Sequence, residues 1–548
     1  MKKQIYILAA FMICGIALAA CSDKDNDDNT NIVNNPDPAN VETESKPSLP
    51  QSYTLTIKAT KGSDVSLSKA LALDGSTLNA AWKTGEVVTV YDGNTLLGTM
   101  TAQSNGTETT LSGGLTSSPA ANASLTLKYQ DDSKYATQDG TLDYISQYCD
   151  YAIATVTVKE VTTDGEILIN ETTADFQNQQ AIVKFTLKSG ENDIMATSLK
   201  VNNYTITPQD ATNEFYVAIP DADAKNIYLS ATDGTDTYTF YKENAKLVNG
   251  QYYAINVKSM TKATKYDLSS ITGNTEVPDG TILTGELGGN YEISIADGAT
   301  VTLSGITING TNDGAYQWAG ITCNGNATII LEGENTVKGF CERYPGIYIA
   351  TDHTLTIDGT GSLNVSSNGE AAGIGGGDND CGNITINGGT INAVGGNNGA
   401  GIGSGHSRCG NITINGGTIN AVGGDEGAGI GTGSYMAECE GITINGGNIT
   451  ATGGQYASGI GGGGSMTSCG NITISGGTII AQGGKDAVGI GNGDGYMNST
   501  CGDITIKNGV TQVTAIKGEG CENSIGKGAD GGTCGAITIE DGANVIQQ

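Results

Sequence analysis

The phrase CGNITINGGTINAVGG occupies Cys381–Gly396 and returns letter for letter at Cys409–Gly424, 28 residues later. A chemical site needs its side chains once. A stacked architecture needs them repeatedly, because each copy must bury its face against a like neighbour. Aligned on a recurrent Gly-Ile pair, the units fall at Gly320-Ile321, Gly346-Ile347, Gly373-Ile374, Gly401-Ile402, Gly429-Ile430, Gly459-Ile460 and Gly489-Ile490, with Ser524-Ile525 as a degenerate last member. The spacing grows from 26 through 28 and 30 to 35 residues.

Each unit holds three short extended pieces, such as NITI, TINAVGG and GAGIGSG in the unit from Asn383. Three strands and three turns in about 28 residues make one coil of a parallel β-helix. Ile384, Ile386, Ile391 and Ala393 alternate with polar neighbours, so one side of each strand faces inward. Their counterparts Ile412, Ile414, Ile419 and Ala421 should lie one coil away, about 4.8 Å along the axis. Asn387, Asn415 and Asn445 should then stack as an amide ladder, ahead of glycines that tolerate a turn. The expected element is a right-handed parallel β-helix of about 8–9 coils over residues 267–548, a rod of roughly 40 Å.

The remainder of the chain is also β. Gly is 82 residues and Pro 9, aromatics are 6%, and alternating apolar runs bounded by Gly, Asn and Asp leave little room for helix. A formal charge of −31 with no Lys/Arg cluster argues against nucleic acid as a partner. Residues 52–262 lack the short repeat. Runs such as Tyr53–Ile57, Val87–Tyr91, Ala181–Leu187 and Tyr252–Val257 fit two β-sandwiches, 52–165 and 166–262.

Lys2 and Lys3 precede an apolar stretch from Ile5 to Leu18, and Leu18-Ala19-Ala20-Cys21 follows. The pattern resembles the signal peptide (1–20) and lipobox of bacterial lipoproteins, which implies lipidation at Cys21. The acidic run after Cys21 is similar to the export signal of Bacteroidota surface lipoproteins, and 21–51 reads as a flexible tether. AAWKTGEVVTVYDG (Ala80–Gly93), FQNQQAIVKFTL (Phe176–Leu187) and LVNGQYYAINVKSM (Leu247–Met260) resemble the recurring phrases of fimbrillin-type proteins of Bacteroidota. That resemblance implies two transthyretin-like sandwiches in a lipid-anchored outer-membrane protein facing the cell surface. It also implies pilin subunits as candidate partners, and it does not imply catalysis.

Cys381, Cys409, Cys439, Cys469, Cys501 and Cys534 hold one place in successive coils. Stacked Cα atoms lie within disulfide range, but stacked side chains point in parallel; a thiol column and pairwise disulfides both fit. No C-x-x-C occurs, and His353 and His406 are the only histidines, so no metal site is expected. Turn carboxylates Asp425, Glu426, Asp486 and Asp494 leave Ca²⁺ open without an Asp-x-Asp loop to specify it.

β-Helices also carry polysaccharide-degrading enzymes. Asp378, Asp380, His406 and Arg408 echo parts of a polygalacturonase pattern, but His406 lacks a following Gly and no Arg-x-Lys follows. The group is the first to test for catalysis, which the sequence does not favour. A binding role draws on two other sets. Trp318 and Tyr344 each precede the Gly-Ile pair by two residues, with Tyr316, Phe340 and Tyr348 near in sequence, so they form either an aromatic platform for sugar rings or a cap on the core. His406, Tyr435-Met436, Met466 and Tyr496-Met497 precede the cysteine column and either line one extended face or are loop residues packing on one another. The expected function is a surface adhesin that binds a glycan or a surface protein, with a degrading enzyme or a structural fimbrial subunit as alternatives.

Overall fold

The computed structural model describes residues 52–61, 72–74, 77–79, 81–220, 226–494, 499–529 and 532–548. The signal segment, Cys21, the tether and Tyr496 lie outside the described residues. No helix among the described residues is long and apolar enough to cross a membrane.

Strand Tyr53–Lys61 buries every second residue and organises the first domain. It pairs antiparallel with Glu108–Leu115 on one side. On the other it pairs parallel with Glu166–Ile169 and Thr173–Asn178. These pairings close an eight-stranded sheet around Leu55, Val88, Leu127, Val156 and Phe176. Inside, the Lys61 ammonium lies 3.4 Å from the Trp82 ring centroid and 3.3 Å from Glu86, whose other oxygen accepts from the Tyr129 hydroxyl. Burying that charge is tolerable only because a carboxylate and two ring faces surround it.

The boundary expected at 165 is corrected in two ways. Residues 166–178 belong to the first sheet, and Ala174 and Phe176 to its core. Conversely, Tyr135, Ile145 and Cys149 leave the first domain and enter the second core. Gln138 clips them there: its amide donates to the Ala218 carbonyl and accepts from the Ala218 N–H. The two N-terminal domains are therefore interlocked.

In the second domain Ala181–Ser189 runs between Glu214–Ile219, antiparallel, and Tyr252–Val257, parallel. A second, six-stranded sheet ends on Thr261–Lys262. One residue later Thr264–Asp267 begins the solenoid by pairing with Thr281–Glu286, so the helix starts three residues before the expected 267.

The solenoid is a parallel β-helix built from a 21-stranded and a 10-stranded sheet. Eight strands of the smaller sheet carry the recurrent Ile, and Thr275–Val277 and Ile293–Ile295 precede them. These two early coils lack the Gly-Ile pair, which is why its series undercounts the stack. Register is strict, with Ile384 on Ile412, Ile412 on Ile442 and Ile442 on Ile472, all buried. The amide ladder forms as expected: Asn445 donates to Asn415 at 2.9 Å, and Asn415 to Asn387 at 2.8 Å. The ten cysteines among the described residues are free thiols, and Cys381 to Cys534 stand in register.

The ladder does not end at Asn387. Its amide reaches the Tyr241 hydroxyl of the second sandwich at 3.5 Å, and that hydroxyl donates to Asp358 at 3.0 Å. Asn226 donates to the same carboxylate oxygen at 3.0 Å, while Tyr228 and Thr302 share a buried hydrogen bond of 3.1 Å. Lys200 and Glu332 pair at 3.4 Å beside them. The sandwich is thus docked on the solenoid by a polar seam.

Candidate functional site: the turn face before the cysteine column

Between the Ile-Gly strand and the cysteine of each coil lies one variable turn. It takes seven steps from Ile402 to Cys409 but nine from Ile430 to Cys439 and from Ile460 to Cys469. The growth of the repeat from 28 to 30 residues therefore happens here. Tyr435 and Met436 fill the extra space at φ 56° and 65°, and both are exposed, Met436 at 69%. Two consecutive bulky residues in the left-handed region cost about 1–2 kcal/mol each. Met466 repeats that conformation one coil on, at φ 57°.

His406 stacks edge-on to Tyr435, with centroids 6.1 Å apart. Its Nδ1 lies 3.5 Å from Asp378, whose other oxygen holds Arg343 at 3.0 Å. Asp380 accepts the Arg408 backbone N–H at 2.9 Å, and the Arg408 guanidinium pairs with Glu438 at 2.9 Å. The four residues named for catalysis do come together, but as rungs of a charged ladder between coils. Asp378 is engaged by Arg343 and His406, and Asp380 anchors the turn. Hydrolysis of a glycosidic bond instead needs a free acid facing a second carboxylate across the substrate.

The aromatic set is divided. Tyr316, Trp318 and Phe340 cluster with centroids 5.5 and 6.0 Å apart. Phe340 is buried, the Trp318 Nε1 is buried, and Tyr316 and Trp318 lie against the core, so this cluster covers apolar interior. Tyr348 also packs there, and its hydroxyl donates to the Asp380 carbonyl at 2.9 Å. Tyr344 is half-buried. Of the candidate aromatics among the described residues, Tyr435 is the exposed one. Among the described residues no group of three or more His, Cys, Asp or Glu side chains is placed to share a metal ion.

Sequence reasoning missed Asp358 and Arg343. Asp358 did carry a signal: it stands one coil before Asn387, in the ladder's own position, as the acidic member of an amide column.

The Beta helix repeat family model matches residues 384–406, 412–434, 442–464 and 472–494. Each matched segment ends three residues into the variable turn, so His406 lies inside a match while Tyr435-Met436 and Met466 lie just beyond one. No curated protein matches the chain. Among solved structures, a fimbrial assembly protein from Parabacteroides distasonis is 14% identical with a TM-score of 0.23, covering 37% of this chain and 90% of its own. The tip fimbrial protein of Porphyromonas gingivalis, with a C-terminal truncation, is 11% identical with a TM-score of 0.22, covering 38% and 96%. At such scores the likeness decides neither fold nor function; the fold rests on the strand pairing above.

Proposed function

We propose that the chain is a cell-surface adhesin, lipid-anchored to the outer membrane through Cys21, whose interlocked domains hold a β-helix outward to bind a glycan or a surface protein. The observation that carries this reading is the variable turn. The repeats keep their construction constant and vary at this corner, where exposed Tyr435 and Met436 are held in a costly conformation. A flat aromatic beside His406, whose Nδ1 in turn faces Asp378, suits a sugar ring or a protein side chain. A role as a fimbrial accessory or tip component is compatible with this arrangement.

Probing arrays of glycans and extracellular proteins with the full chain tests the reading. Tyr435→Ala together with Met436→Gly should weaken capture about tenfold, roughly 1.4 kcal/mol, without lowering the melting temperature. Unchanged capture would remove the turn face from the reading, and uronide products released from pectin would favour the enzyme instead. Metabolic labelling with a fatty acid should mark the wild type and spare Cys21→Ala.

A further inference from the structure

The seam between the second sandwich and the solenoid leaves a cleft of about 710 Å³. Its floor is the row of Gly-Gly turns beside Asn387 and Asn415, and its opposite wall is the hairpin tip carrying Lys200, Asn202 and Asn203. Neither the turn face nor the cysteine column reaches it.

The charged groups of the cleft are satisfied within the protein. Lys200 pairs with Glu332 at 3.4 Å. Asp358 accepts from Tyr241 and Asn226 on one oxygen and from the Gly359 N–H on the other, at 2.7 Å. What the walls offer an occupant is amide, hydroxyl and peptide groups. An anion or a cation would find no free counter-charge there and would lose its hydration. A polyhydroxylated, uncharged molecule loses little and gains many hydrogen bonds.

The amide ladder gives those bonds a period. Asn415 uses one N–H toward Asn387 and accepts one from Asn445, which leaves a second N–H and a second oxygen lone pair. Adjacent donor and acceptor on one side chain match neighbouring hydroxyls of a pyranose. Rungs recur about every 4.8 Å, so successive sugar units of an extended chain meet equivalent groups. The cleft falls within the roughly 300–1,000 Å³ of small-ligand sites, and such sites concentrate where domains meet. We propose that this seam binds a neutral oligosaccharide, gripped between the Asn387–Asn415 ladder and the hairpin tip at Asn203. The inference stands whether or not the turn face binds anything.

Calorimetric titration of the full chain with cellohexaose, xylohexaose and chitohexaose tests it, with polygalacturonate as the charged comparison. At least one neutral hexaose should bind, with an affinity insensitive to added salt. Asn203 and Thr418 are exposed lining residues outside both cores. Asn203→Trp and Thr418→Trp should each fill the cleft and weaken binding about tenfold or more, with melting temperatures unchanged. Repeating the titrations in the Tyr435→Ala, Met436→Gly background keeps any heat from the turn face from being read as binding at the seam. Binding by none of the hexaoses, binding that survives both tryptophans, or salt-sensitive binding of polygalacturonate alone would each overturn the proposal.

Discussion

Gly403 has φ +137°, and a Cβ there would stand 1.9 Å from the carbonyl oxygen of Gly431 in the next coil. Gly375, Gly431, Gly461 and Gly491 meet the same obstacle at 1.9–2.1 Å. From Gly375 to Gly491 the glycine after the Ile is therefore a requirement of stacking, since the neighbouring backbone occupies the side-chain position, whereas Thr322 and Tyr348 stand there in the two coils before. Gly403→Ala should destabilise the solenoid by about 3 kcal/mol, whereas Gly314→Ala, at an exposed site with open space around the added methyl, should change little. Chemical denaturation followed by circular dichroism measures both. The thiols follow the same logic of enclosure. The Cys409 thiol is pushed well up from its ordinary value by its hydrogen bond with Cys381 and by burial, and burial alone pushes Cys323 up to about 12. Thiolate is the reactive form, so iodoacetamide at mildly alkaline pH should spare Cys409 and Cys323 in the native protein and label them in denaturant. Cys534 is also pushed up, first by its hydrogen bond with Cys501 and then by burial, so it should be spared as well despite its partial exposure. Peptide mapping of the alkylated protein reads the pattern.

At the scale of strands and turns, the part legible in sequence is the part that period determines. Ile412 and Ile414 are inward because alternation leaves them no other face, and Asn415 lies on Asn387 because a 28-residue shift superimposes them. Pairing between distant strands leaves no such trace. Thr173–Asn178 alternates equally well whichever domain it joins, and only its partners Tyr53–Lys61 and Ala152–Val161 place it in the first. The turn face was legible as composition, because Tyr435 and Met436 interrupt a Gly-rich corner. Their left-handed backbone was not, since non-glycine residues rarely adopt it. Asp358 joins the two kinds of element, and its role predicts a phenotype. Asp358→Ala leaves Tyr241 and Asn226 without their acceptor, which should cost about 1–3 kcal/mol. Limited proteolysis should then cut within 258–264, where sandwich passes into solenoid, faster than in the wild type.

For the molecule as a whole, buried tyrosines shape the response to alkali, Tyr135 in the second core and Tyr228 and Tyr241 in the seam among them. Burial pushes the Tyr228 hydroxyl up to about 12, with the Glu332 charge adding to the shift, and Tyr241 is raised further by burial and by Asp358. Below the ordinary tyrosine value near 10 both states hold the proton, and the full contribution of the seam is present. Between about 10 and 12 the unfolded chain releases it while the folded one retains it, so stability falls as pH rises. Melting temperatures from pH 8 to 11.5 should show this fall, and Tyr228→Phe should blunt it. Coils touch only their neighbours, so stability in the rod is nearly a sum of local terms. Deleting 381–408 brings Asn415 to the place of Asn387 and should leave a cooperatively folding protein with an unchanged β spectrum.

The identity of Cys381–Gly396 and Cys409–Gly424 has a further effect, one that plays out in genomes. Neighbouring coding segments that specify the same sixteen residues can misalign during replication or recombination, and each exchange adds or removes a whole coil in frame. A lineage could thus change the length of the rod, and the number of variable corners it displays, in one inherited step. The two N-terminal domains would be untouched. Antigenic novelty and altered reach would arise by counting coils, without the search through point substitutions that a globular domain requires.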